Sequence, residues 1–164
     1  MKRILPVLLC LILLIGCAGA SQNVYRHSAF SAILPAAFEP VKGTDPVCFA
    51  PYGDPLFSSS ITCYTTELNW YFDSFTEAEY AEALQTQCGY ESIAVERIEN
   101  TRVGNYDARR IACKVFIDQG THDLILYAVN ADRTYFFTLL NRDGDDYIDA
   151  FDSMMATVHF TEGK

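Results

Sequence analysis

Asp123-Leu124-Ile125-Leu126-Tyr127-Ala128-Val129-Asn130 is apolar on both parities of an extended chain. Leu124, Leu126 and Ala128 fall on one side, and Ile125, Tyr127 and Val129 on the other. Thr134 to Leu140 repeats this, with Tyr135, Phe137 and Leu139 set against Phe136 and Leu140. A strand that is apolar on both faces is covered on both faces. The short link Ala131-Asp132-Arg133 makes the two an antiparallel hairpin. The pair therefore predicts the centre of a sheet, with one layer above it and another below.

Moving toward the N-terminus, Tyr106 to Asp118 alternates Ile111, Cys113, Val115 and Ile117 against Arg110, Ala112, Lys114 and Phe116. Gln119-Gly120 links it to the central pair, and Gly104-Asn105 marks a tight connection to an extended Ser92–Thr101. Thr76 to Cys88 predicts a helix. Thr76 as N-cap with Glu79 three residues on is a capping box, and Phe75 with Tyr80 is placed as a hydrophobic staple. Tyr80, Ala83, Leu84 and Cys88 share one face, and Gly89 stands where a left-handed C-terminal cap belongs. Earlier still, Ser59–Leu68 and Val47–Ala50 read as strands around the turn formers Pro51-Tyr52-Gly53-Asp54-Pro55. Ala29–Leu34 is a first strand ended by Pro35, Ala36-Ala37-Phe38 one helical turn, and Ser21–Arg26 a polar tether. At the other end, Asp145–Thr157 predicts a second helix. Tyr147, Ile148, Phe151, Met154, Met155 and Val158 form its apolar stripe, and acidic residues crowd its first turn.

The result is an α+β domain: a central antiparallel sheet of about six strands with helices packed on it. The order of elements resembles the PsbP-like domain. The match runs through Phe30–Pro35, the helix after the third strand, the Gly104–Arg110 approach to a long strand, and Phe151–Phe160. The resemblance implies an α/β/α sandwich. It joins this chain to a group that includes photosystem extrinsic subunits and many lipoproteins of unknown role. It carries over fold, since the binding residues of the extrinsic subunits have no counterpart here.

The first residues give an address. Lys2 and Arg3 precede Ile4–Ile15, which is apolar apart from Pro6 and too short to span a bilayer, which takes about 20 residues. This is the plan of a secretory leader. Leu14-Ile15-Gly16-Cys17 resembles the lipobox of bacterial lipoproteins. That resemblance implies a diacylglycerol thioether on Cys17, cleavage before it, and attachment to a membrane on the extracytoplasmic side, the cell surface or an outer membrane. An ordinary leader cut near Ala18-Gly19-Ala20, or an uncleaved anchor, are the alternatives. The expected organisation is signal peptide 1–16, tether 17–26 and one globular domain 27–164. Loss of Lys2 and Arg3 would take the basic residues from 12 to ten against 21 acidic ones, and the net charge from −9 to −11. Such a domain repels nucleic acid and anionic lipid, and no basic stripe offsets that.

With Cys10 in the leader and Cys17 lipidated, Cys48, Cys63, Cys88 and Cys113 remain. Four cysteines in an exported domain allow three disulfide connectivities. Cys48–Cys63 and Cys88–Cys113 are favoured; four reduced, buried thiols are the alternative. No C-x-x-C pair occurs, so thioredoxin-like and zinc-ribbon signatures are missing.

Three features bear on chemistry. Asn141, Asp143, Asp145 and Asp149 echo the oxygen ligands of an EF-hand loop, yet Asp146 replaces its glycine and Asp152 its bidentate glutamate. A turn leading into a helix, with acids at the helix N-terminus, explains the cluster equally, so calcium is a weak expectation and no other cofactor is expected. Trp70, Tyr71 and Phe72 form either an interaction patch or a closure of the core near Phe75. His27, His122 and His159 each stand alone, and neither Ser58-Ser59-Ser60 nor any other serine sits in a nucleophile elbow. No catalytic residue is assigned. The expected function is a lipid-tethered binding or assembly module with an unknown protein or envelope ligand. A cell-envelope hydrolase and a weak calcium-binding module are the alternatives.

Overall fold

The structure, a computed structural model, describes residues 23–53, 59–66, 75–88, 90, 92–142 and 147–161, with the side chains of 87 and 88 excepted. Cys17, Trp70, Tyr71, Phe72, Asp143, Asp145 and the Gly89 cap lie outside the described residues.

Among the described residues ten strands and two helices follow one another: β1 (Val24–Arg26), β2 (Phe30–Ile33), β3 (Phe38–Pro40), β4 (Val47–Pro51), β5 (Ser60–Thr66), α1 (Glu77–Cys88), β6 (Ser92–Val103), β7 (Tyr106–Ile117), β8 (Gly120–Asn130), β9 (Thr134–Asn141), α2 (Ile148–Met155) and β10 (His159–Phe160). Seven strands form the main sheet in the order β3-β4-β5-β9-β8-β7-β6, antiparallel at every pairing. The apolar pair β8 and β9 lies inside it, as their two-sided composition requires.

Register sorts the side chains onto two cores. Ile111, Cys113, Val115, Leu124 and Leu126 face one side, where Tyr80 and Leu84 of α1 cover them. Ile125, Tyr127, Val129, Phe137 and Leu139 face the other, beneath Phe151, Met154 and Met155 of α2. Of the stripe read from the sequence, Phe151, Met154, Met155 and Val158 are buried, and Tyr147 and Ile148 pack against the core half-buried. Arg110 fixes α2 to the sheet through two hydrogen bonds to Asp152, Nε to Oδ1 at 3.1 Å and Nη2 to Oδ2 at 3.0 Å. Tyr127 Oη donates to the same Oδ1 at 2.9 Å.

Several expectations are corrected. Val24–Arg26 is a strand rather than part of the expected tether: the Tyr25 ring packs edge-on against Phe49 at 4.7 Å, and three residues are too few to show a period. β1, β2 and β10 make a separate three-stranded sheet that shares the second core with α2. Its strands come from both ends of the described residues, and no local pattern announces such a pairing. Ala36-Ala37-Phe38 is not a helical turn. Phe38 N donates to Pro35 O at 2.9 Å, closing one turn, and the chain then extends into β3 with the Phe38 ring buried.

The Cys48–Cys63 bridge is also corrected. Cys63 pairs with Val47 and Cys48 with Thr62, so adjacent positions put the two thiols on opposite faces of the sheet. Cys48, Cys63 and Cys113 are free, buried thiols. For the expected Cys88–Cys113 bridge, Cys113 is thus unbridged, and the Cys88 side chain lies outside the described residues. Among the described residues no helix is long and apolar enough to cross a membrane.

Candidate functional site

The start of α1 is pinned from several directions. Thr76 N donates to Glu79 Oε2 at 2.7 Å, and Glu79 N donates to Thr76 Oγ1 at 3.4 Å, which is the predicted capping box. The Phe75 and Tyr80 rings meet edge to face at 5.3 Å, and Arg109 Nη1 donates to Phe75 O at 2.9 Å. Across from the helix, the rings of Tyr64 and Phe136, direct partners on β5 and β9, stack at 4.9 Å. Between helix and sheet lies a groove of about 350 Å³. Tyr64, Phe136, Leu126, Tyr80 and Leu84 wall it, and Glu79 and Glu82 are the charged residues of its lining. Hydrogen bonds from the Thr76 backbone and hydroxyl hold the Glu79 carboxyl below the ordinary carboxylate range, so it is charged at neutral pH. A groove with aromatic and aliphatic walls and acidic groups among them can bury an apolar group and favours one carrying positive charge.

Strand propensity found Tyr64 and Phe136, but nothing local marked them as a binding wall. The signal was the two-sided apolarity of β9. α1 covers Leu124 and Leu126 fully and Phe136 only in part.

A second cleft, of about 430 Å³, opens on the other face and is lined by His27, Asp45, Cys63 and Tyr135 among others. A histidine, an acid and a thiol in one cleft invite a catalytic reading, and the chemistry opposes it. His27 Nδ1 accepts from Ala29 N at 3.3 Å, and among the described residues no hydrogen bond joins His27 to Asp45. Burial pushes the Cys63 thiol up to about 12. A nucleophilic cysteine needs the opposite shift.

The remaining sequence candidates do not converge. Asn141 Oδ1 accepts from Ser59 Oγ at 3.0 Å, and Ser59 Oγ accepts from Arg142 N at 2.9 Å, which ties the end of β9 to the start of β5. Asp149 is exposed in the first turn of α2. His159 lies on β10, and His122 lies against Gly120. Among the described residues no group of three or more metal-ligating side chains occurs.

No known family matches the chain, and no curated protein matches it by sequence. Solved structures do. Cyanobacterial PsbP (CyanoP) from Synechocystis superposes with a TM-score of 0.63 at 14% identity, over 89% of this chain and 96% of that one. The fold is PsbP-like. LpqN of Mycobacterium tuberculosis, described as involved in cell envelope biogenesis, superposes with a TM-score of 0.53 at 10% identity, over 88% of this chain and 87% of its own. At such identities the PsbP-like likeness carries architecture alone.

Proposed function

We propose that this chain is a lipid-moored extracytoplasmic binding module that acts without chemistry, through the groove between α1 and the sheet. The groove carries the reading, because it pairs aromatic walls with acidic groups. The ligand it suits offers an aromatic or aliphatic group next to positive charge. The leader supplies the setting. Acyl chains on Cys17 would each contribute about 0.8 kcal/mol per buried methylene, enough for two or three chains to hold a small domain stably.

Two measurements test this. Intact mass of the membrane fraction should show a chain that begins at Cys17 and carries acyl groups, and Cys17→Ser should release the protein to the soluble fraction. A photo-crosslinker at Thr86, in the groove lining, should capture a partner that Ala83→Trp excludes by filling the groove. Capture that is unchanged by Ala83→Trp would remove the groove from the proposal.

A further inference from the structure

Three large hydrophobic side chains are exposed among the described residues: Tyr52 at 90%, Val24 at 46% and Phe116 at 37%. Singly, each is ordinary. Their placement is not: register puts Tyr52 and Phe116 at one end of the main sheet, and Val24 stands at the same end through its neighbour Asn23. Ser60 is level with Leu140, Leu124 and Cys113, so the end of the sheet marked by the first residue of β5 is also the end that carries Phe116. β4 runs toward the same end, since Phe49 pairs with Ile61 and Pro51 lies two residues beyond. Tyr52 follows Pro51 directly.

The chain from the leader joins the body at this end too. Asn23 Nδ2 donates to Phe38 O at 2.9 Å, and Phe38 is the β3 partner of Pro51. Val24 is the next residue. Tyr52 is moreover held at φ 56 in a tight turn with Gly53 at φ 72, closed by Gly53 N donating to Ala50 O at 3.1 Å. A left-handed conformation is strained for an ordinary side chain, and Tyr52 holds it with its ring exposed.

We infer that this end of the domain rests in the headgroup layer of a zwitterionic bilayer, with the Tyr52 ring at the interface. The inference rests on the mooring proposed above. β1 begins so early that only residues 18–22 separate Cys17 from Asn23, a reach of about 20 Å at full extension. The sheet is about 40 Å long along the 12 residues of β7. The body therefore stays close to the surface by the end at which the chain joins it. A tyrosine suits that layer, where its ring meets apolar chains and its hydroxyl stays wet. The net charge of −11 after loss of the leader's Lys2 and Arg3 favours a zwitterionic surface over an anionic one. The same placement explains the groove's position. Tyr64 lies four residues along β5 from Ser60, about 13 Å farther from the bilayer at about 3.3 Å per residue. The groove also opens on the face opposite the small sheet that carries β1. The binding site is thus displayed away from the membrane.

The test uses the full acylated protein in phosphatidylcholine vesicles brominated near the head of one acyl chain. Tyr52→Trp should lose most of its added emission to the bromines. Asn105→Trp, on the exposed β6–β7 turn at the opposite end, should keep it. Phe116→Trp repeats the measurement at the membrane end should Tyr52→Trp fail to fold. Equal quenching at positions 52 and 105, or none at 52, on protein whose mass shows the acyl groups would overturn the inference and leave the mooring standing. A mass without acyl groups would overturn both.

Discussion

At the scale of single residues, the thiols and Asp152 decide most. Cys63 and Cys113 lie in opposite cores, and burial pushes both from the ordinary 9.0 up to about 12. Burial raises Cys48 as well. These thiols stay protonated in the folded chain. At pH 8 a thiol reagent should leave Cys48, Cys63 and Cys113 unmodified until denaturant is added, as peptide mass mapping would record. The raised values also fix a sign. Unfolded thiols release protons near pH 9 while folded ones hold them, so the native state binds more protons between about pH 9 and 12 and stability falls with rising pH there. Below pH 9 this contribution is fully present. Urea midpoints should be flat from pH 7 to about 8.5 and then decline, and Cys63→Ala should reduce the decline. Asp152 makes the second residue-scale prediction. Its removal strips the acceptor from Tyr127 Oη and the bidentate partner from Arg110, whose side chain is only 18% exposed. Asp152→Ala should cost about 2 kcal/mol by denaturant unfolding, less than for a fully buried pair because Asp152 is partly solvated.

At the scale of elements, α1 and α2 are held differently. α1 has only Tyr80 and Leu84 buried among its described side chains, so its start depends on the Thr76–Glu79 box. Thr76→Ala should cost about 1 kcal/mol. If the groove binds as proposed, it should also weaken that binding, because Glu79 loses its fixed position. α2 has no side-chain cap and is held by packing instead: Phe151, Met154 and Met155 are buried. Phe151→Ala should cost about 3 to 4 kcal/mol, several times more than any change at its exposed Asp149. Fluorescence-monitored unfolding of the two variants would give the ratio.

At the scale of the whole molecule, the small sheet closes the structure. β2 pairs on one side with β1 and on the other with β10, so the two ends of the described chain meet there. Thr157 Oγ1 accepts from Ile33 N at 2.9 Å and donates to Met154 O at 2.7 Å, joining the end of α2 to the same strand. The Phe160 ring then reaches the main sheet, 4.7 Å from Tyr135 and 5.2 Å from Tyr106. Truncation after Thr157 removes Val158 and Phe160 and bares one edge of β2. It should lower the unfolding midpoint markedly and leave the far-UV spectrum near native, since the main sheet keeps all its pairings.

Local chemistry in the sequence determined a good deal. Period-two alternation located β5, β6 and β7, the two-sided apolarity of Asp123–Asn130 and Thr134–Leu140 located β8 and β9 and placed them inside the sheet, and the capping box located the start of α1. Each of these signals lies within one element and its flanks, where side-chain period and backbone geometry are coupled directly. Only the tertiary structure decided the rest. Strand register turned the two thiols of Cys48 and Cys63 to opposite faces, and it brought Tyr64 against Phe136 and residues 24–26 onto β2. It also gathered Tyr52 and Phe116 at one end, where Asn23 brings Val24. These pairings join residues far apart in the chain, and their energy comes from apolar area that exists only once separate elements meet. No stretch read alone contains that area, so the groove and the exposed end emerge from packing.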